Sequence, residues 1–233
     1  MKPRNLSFWL IFVIAFSLAS GVLFAQEKKE EKVDVKKEGK NLKSKKLGDK
    51  MKAMKKLGDE GRRNNKAATR ELISQYSVEK DTYVKTQLIG SMANSNDKAA
   101  AAELKNIVET ETQGDIKQAA IQAYSQSDGV NSVDTLVKIF LDEKETLGNR
   151  QTAGAELGLY LKSDTAFNAL VEALKNKNPS IREQAVCSLG VAFGDEMKKK
   201  VIPLIEEMIK DPEISVSKRA QDILENLKPK VKK

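Results

Sequence analysis

Five segments of this chain, YVKTQLIGSM, DIKQAAIQAY, GNRQTAGAEL, SIREQAVCSL and SVSKRAQDIL, repeat one pattern. Aligned on Val84, Ile116, Asn149, Ile181 and Val216, they recur after 32, 33, 32 and 35 residues. Four positions past each anchor stand Leu88, Ala120, Ala153, Ala185 and Ala220, and eight past it Met92, Tyr124, Leu157, Leu189 and Leu224. Offsets of four and eight fall on one face of a helix. A second apolar series, Leu72, Leu104, Leu136, Leu170 and Leu204, runs about a dozen residues ahead of each anchor. Each period therefore holds two amphipathic helices. A hairpin of that size cannot bury its apolar stripe alone, so successive hairpins must stack. Asn178-Pro179 and Asp211-Pro212 supply a capping side chain followed by proline at the first helical position. Asp115 and Asp164 can cap other helices, and Gly129 and Gly194 suit helix ends. No sustained alternation of β-branched residues occurs, and an all-α fold is expected.

The second-helix pattern, Ile/Val-Arg/Lys-x-x-Ala-x-x-x-Leu as in IREQAVCSLG, resembles HEAT and HEAT-like (PBS-lyase-type) repeats, here about five of them across residues 67–227. The resemblance implies a right-handed α-solenoid with first helices on the convex side and second helices on the concave side. It also implies a binding scaffold rather than any particular chemistry. Two positions depart from the pattern. Asn149 replaces an apolar anchor and Leu88 replaces the small alanine, so the third repeat is expected to be looser and the first wider. The residue after the anchor is Lys85, Lys117, Arg150 or Arg182 in four repeats and Ser217 in the last. In this family such a base bonds acids or carbonyls between neighbours, which makes a structural role the expected one.

Charge separates the chain into parts. Residues 26–66 carry net +8, 67–227 carry −6 and 228–233 carry +4. The basic character thus belongs to the tails. Residues 26–46 contain few large apolar side chains beyond Val33, Val35 and Leu42, too few to offset the entropy of ordering. Residues 26–46 are accordingly read as disordered, within a Lys-rich linker over 26–66. It ends in a short capping helix where KKLGDKMKAM and KKLGDEGRRN place Leu47, Met51, Met54 and Leu57 at helical spacing. Residues 228–233 form a basic C-terminal tail.

Residues 1–25 join Lys2 and Arg4 to an apolar run and small residues ending at Ala25, the pattern of a secretory signal peptide. Leu23 is large for the cleavage site, and Leu6 to Ala25 is long enough to span a bilayer, so an uncleaved anchor is the rival reading. Export to the periplasm or beyond is expected. With one cysteine, Cys187, the chain makes no internal disulfide, and stability must come from packing.

The chain has no histidine. That removes His-based triads and ordinary Cys/His zinc sites, and no glycine-rich phosphate loop occurs. No cofactor, metal or catalytic residue is called for, and the chain is read as non-enzymatic. On each second helix, the positions two, three and six past the anchor point away from the apolar stripe. They supply the binding candidates Gln87, Gln118, Gln122, Gln151, Glu183, Gln184 and Lys218. This amide-rich surface suits hydrogen bonding to a protein or an envelope polymer. Nucleic acid is disfavoured because the basic tail has no interleaved aromatics for base stacking. The expected function is an exported scaffold that binds a protein or polymer in the bacterial envelope. The alternative is an envelope-associated protein whose basic tails bind anionic surfaces, with weak electrostatic membrane contact through the linker and the repeats as a spacer.

Overall fold

The computed structural model describes residues 32–227; the leader 1–25, residues 26–31 and the tail 228–233 lie outside the described residues. The chain divides after Val33, and everything from Asp34 onward forms one compact unit. Among the described residues this unit consists of six helical hairpins. The five expected from the period are α3 (Lys66–Val78) with α4 (Thr82–Ala93), α5 (Lys98–Thr110) with α6 (Gly114–Asp128), α7 (Val133–Leu141) with α8 (Leu147–Leu157), α9 (Asp164–Ala173) with α10 (Pro179–Leu189), and α11 (Asp195–Met208) with α12 (Ile214–Leu227). They are preceded by α1 (Val35–Leu42) with α2 (Leu47–Arg62).

The periodic positions form the core. Leu88, Ala120, Ala153, Ala185 and Ala220 are fully buried, as are Met92, Leu157 and Leu189. In the first helices Leu72, Leu104, Leu136 and Leu170 are likewise buried, but in α11 Leu204 is only half-buried, and Val201 and Ile205 take the core positions. Neither departure loosens its hairpin. Leu88 is enclosed, and Asn149 is buried with its amide nitrogen donating to Glu145 at 2.8 Å. Asn178 caps α10 by accepting from Ser180 N at 2.9 Å, with Pro179 behind it. Asp164 is instead the first helical residue of α9, and Asp115 lies in the first turn of α6. Gly129 and Gly194 adopt φ of +57° and +81° where α6 ends and α11 begins, conformations that side-chain-bearing residues avoid.

The expectation of disorder over 26–46 is corrected from Asp34 onward, where Asp34 caps α1 (Val35–Leu42). Leu42, Ala53, Met54 and Leu57 are buried in the same core as the later hairpins. Polar residues that the composition counted against order are used in packing. Asp34 caps α1 by accepting from Lys37 N. The Glu38 carboxylate is buried and accepts from Lys56 Nζ at 2.6 Å and from Asn41 Nδ2 at 2.9 Å. Burial raises its pKa, and those two hydrogen bonds reverse the effect and leave it below the ordinary value. The helix expected near Lys45 is present as α2, but it is one arm of a complete hairpin.

The second helices, α2, α4, α6, α8, α10 and α12, stack on one another in sequence, each on the next. The first helices do so less closely: α5 barely meets α7, and α9 barely meets α11. The second-helix side is therefore the more closely packed side of the stack. Small residues allow the tight approach. A Cβ added to Gly158 would stand 3.0 Å from the carbonyl oxygen of Ser188, and one on Gly58 would stand 3.2 Å from that of Ser91. Ser188 Oγ also donates to the Gly154 carbonyl at 2.7 Å, tying α10 to α8.

Candidate functional site

The residue after each anchor holds the stack together at the corner between helices. Lys117 pairs with Glu145 of the next hairpin at 2.6 Å. Arg182 grips both oxygens of Asp211 at 2.7 and 2.8 Å and donates to the carbonyls of Asn176 and Lys177. The buried Arg150 donates from Nε to the Phe140 carbonyl at 2.9 Å, and Lys85 lies over the Tyr76 ring. Lys50 of α2 joins the series, because Lys50 Nζ meets Glu79 of the following hairpin at 2.6 Å. These bases are structural. They are engaged inside the stack, although Arg150 Nη2 is buried without a hydrogen-bond partner, and they do not form an anion track.

The seven candidate binding residues all lie on second helices. Gln122 and Lys218 are exposed. Gln87, Gln118, Gln151, Glu183 and Gln184 are half-buried, because the second helices are too close for long side chains to stand free. Gln118 lies across Gly148 of the next hairpin, Gln184 packs its Cγ against Gly154 of the previous one, and Gln184 Nε2 donates to Ser188 Oγ at 3.1 Å. Glu183 meets Arg219 at 3.5 Å. The amides therefore pack between repeats and still present polar edges. Cys187 lies among them, half-buried, its thiol pKa raised by burial.

Charge on this face is distributed unevenly. The positions two, three and six past the anchor of α4, α6, α8 and α10 comprise Thr86, Gln87, Gly90, Gln118, Ala119, Gln122, Gln151, Thr152, Ala155, Glu183, Gln184 and Cys187, and Glu183 alone is charged. The ends differ: α2 offers Lys52 and Lys55, and α12 offers Lys218, Arg219 and Asp222. In a chain that is 32% charged, a neutral strip across four hairpins bounded by charge is a surface for hydrogen bonding. It is not a surface for gathering ions. Among the described residues no group of metal-ligating side chains comes together.

A second surface escapes sequence reasoning. Three successive loops between hairpins meet along one edge of the stack, where Val130, Leu159, Tyr160, Val191, Phe193 and Met197 line an open hollow of about 430 Å³. These residues lie outside the helical period, so no pattern flags them.

The fold is that of an α-solenoid. The family model described as HEAT repeats matches residues 133–225, the last three hairpins. Among solved structures, a designed armadillo repeat protein is similar at 16% identity, covering 84% of this chain and 100% of that one with a TM-score of 0.47. An engineered protein is similar at 18% identity, covering 84% and 96% with a TM-score of 0.46. The complex of CpcE and CpcF of phycocyanin lyase from Nostoc sp. PCC7120 is similar at 13% identity, covering 87% and 97% with a TM-score of 0.43. No curated protein matches the sequence.

Proposed function

We propose that this chain is an exported, non-enzymatic scaffold that holds a protein partner of the bacterial envelope along its second-helix face. HEAT repeats are binding scaffolds in general, and the neutral amide strip is the observation that carries the reading here. Gln118, Gln151 and Gln184 offer both donors and acceptors at intervals of one repeat, with Gln122 one turn from Gln118, an arrangement that suits the peptide groups of an extended segment. Half-burial restrains the side chains, which reduces the entropy lost on binding. The leader at 1–25 supports the export part of the proposal.

Photo-crosslinking tests the site directly. A photoreactive side chain at Gln151 should capture a discrete partner in envelope preparations, whereas the same group at Lys105, exposed on the first helix α5, should not. Equal capture from both positions, or capture from Lys105 alone, overturns the assignment.

A further inference from the structure

The second-helix face does not end with its amides. Residues four apart form a ridge along a helix. In α8 the ridge runs Gln151, Ala155, Leu159, because Gly158 and Leu161 keep helical backbone angles beyond Leu157. In α10 it runs Glu183, Cys187, Val191, with Gly190 likewise helical. Leu159 is 68% exposed and Val191 56%, and both line the loop-edge hollow together with Val130, 61% exposed, and Phe193, 91% exposed. Only the exposed methyl of Ala155 and the small Cys187 lie between. The amide strip and the hollow are therefore adjoining parts of one surface. Four exposed large apolar side chains mark a contact site, and the charge around them says for what. Lys162 is the one charged residue lining the hollow. In the loops and first turns beside it, Lys162, Lys198 and Lys199 are balanced by Asp164, Asp195 and Glu196, and Glu196 is paired with Lys199 at 3.0 Å. Glu183, the charge on the strip, is met by Arg219. A charged segment lying here would lose hydration and find no excess of opposite charge in return.

We infer that the partner segment held by the amides is uncharged and carries a large aliphatic or aromatic side chain that enters the hollow between Leu159, Val191 and Phe193. The inference rests on the reading of the second-helix face as the binding site and names what that site selects. From Gln151 to Leu159 the helix rises roughly 12 Å, which an extended segment covers in about four residues. The apolar residue of the partner stands at about that interval from the residue bonded to Gln151. The two parts of the surface divide the work. Hydrogen bonds to the amides are exchanged against bonds to water and gain little net affinity, so they fix register, while burial of one large apolar side chain in the hollow supplies most of the affinity.

The test uses the chain from Gln26 to Lys233, which retains the whole compact unit, and as probe a displayed library of random peptides of about twelve residues. Selected peptides should share a stretch free of Asp, Glu, Lys and Arg that contains one Leu, Ile, Met or Phe. In the synthetic consensus peptide, followed by fluorescence anisotropy, replacing that residue by Ser should weaken binding at least about tenfold. Leu159→Ser with Phe193→Ser, at positions too exposed to unsettle the fold, should weaken the consensus peptide by the same factor and leave the Ser-bearing peptide unaffected, the signature of direct contact. Gln151→Ala should weaken both peptides. A charged consensus overturns the inference. So does consensus binding that ignores the two loop substitutions, and if that binding still depends on Gln151 the second-helix reading survives alone. Indifference to Gln151→Ala, or no consensus at all, overturns both. Self-association of the chain that vanishes with the loop substitutions makes a second copy the occupant and overturns the inference as well.

Discussion

Substituting Gly154 by alanine tests how closely the second helices approach. A methyl group there would stand 2.6 Å from Phe140 Cε2, and 2.9 Å from both Phe140 Cδ2 and Gln184 Cγ. Ordinary contact begins near 3.4 Å, so the neighbours must yield several tenths of an ångström. Phe140 is fully buried and among the largest enclosed side chains, so it has no free space to enter. Overpacking of this kind costs about 1–3 kcal/mol, while replacing a helical glycine by alanine returns about 1 kcal/mol. A net loss of about 0–2 kcal/mol is expected. Gly90 provides the control, because an added methyl there meets nothing within 4 Å, and Gly90→Ala should gain about 0.5–1 kcal/mol. Urea unfolding followed by far-UV circular dichroism should move the two midpoints in opposite directions. Stabilisation by both substitutions would show that α8 does not pack against α7 and α10 as closely as described.

Leu57→Ala should cost about 2–5 kcal/mol as a core truncation; a urea midpoint matching the parent would return residues 35–62 to the status of a linker. Arg182→Ala leaves the Asp211 carboxylate and two carbonyls without their donor, and a loss of about 2–3 kcal/mol is expected by the same assay. Arg182→Lys should recover only part of this, because lysine cannot grip both oxygens. Burial raises the Glu79 pKa, but hydrogen bonds from Lys50, Asp81 N and Lys80 N outweigh it and bring the pKa down from 4.5 to about 2. A carboxylate so depressed contributes stability that is present above pH 4.5 and lost as pH falls toward 2, on the order of 3 kcal/mol in all. Glu79→Gln should therefore flatten the acid limb of a stability-versus-pH curve, and an unchanged limb would discount the Lys50 to Glu79 link.

Hairpins two to six were legible because each repeats the same apolar offsets, and Asn178-Pro179 marks a helix start by chemistry that needs no tertiary context. The corner bases were legible as structural, though their partners were not: Phe140 offers a backbone carbonyl, which no sequence pattern displays. The first hairpin was hidden by composition. Its lysines and glutamates resemble a solvated linker, and only in three dimensions does Glu38 meet Lys56. A signal was nonetheless present. Lys50, Ala53 and Leu57 precede Lys85, Leu88 and Met92 by 35 residues, the same interval that separates Ile181 from Val216. The candidate face was legible as a set of positions, but not the half-burial of Gln118 and Gln184, which depends on glycines in neighbouring repeats. The apolar loop edge had no period by which to be found.

The scaffold assignment is tested most directly by capturing partners from envelope extract, with washes at low salt and at about 0.5 M salt, where exposed charge is largely screened. Three proteins are compared: the chain from Gln26, the chain from Asp34, which sheds the three lysines and three glutamates before the first hairpin but keeps all six hairpins, and Gln122→Glu with Gln151→Glu in the longer chain. The account predicts that one partner survives high salt on the first two and is lost from the third. A partner that leaves with residues 26–33 or with salt, and that ignores the two substitutions, would contradict it.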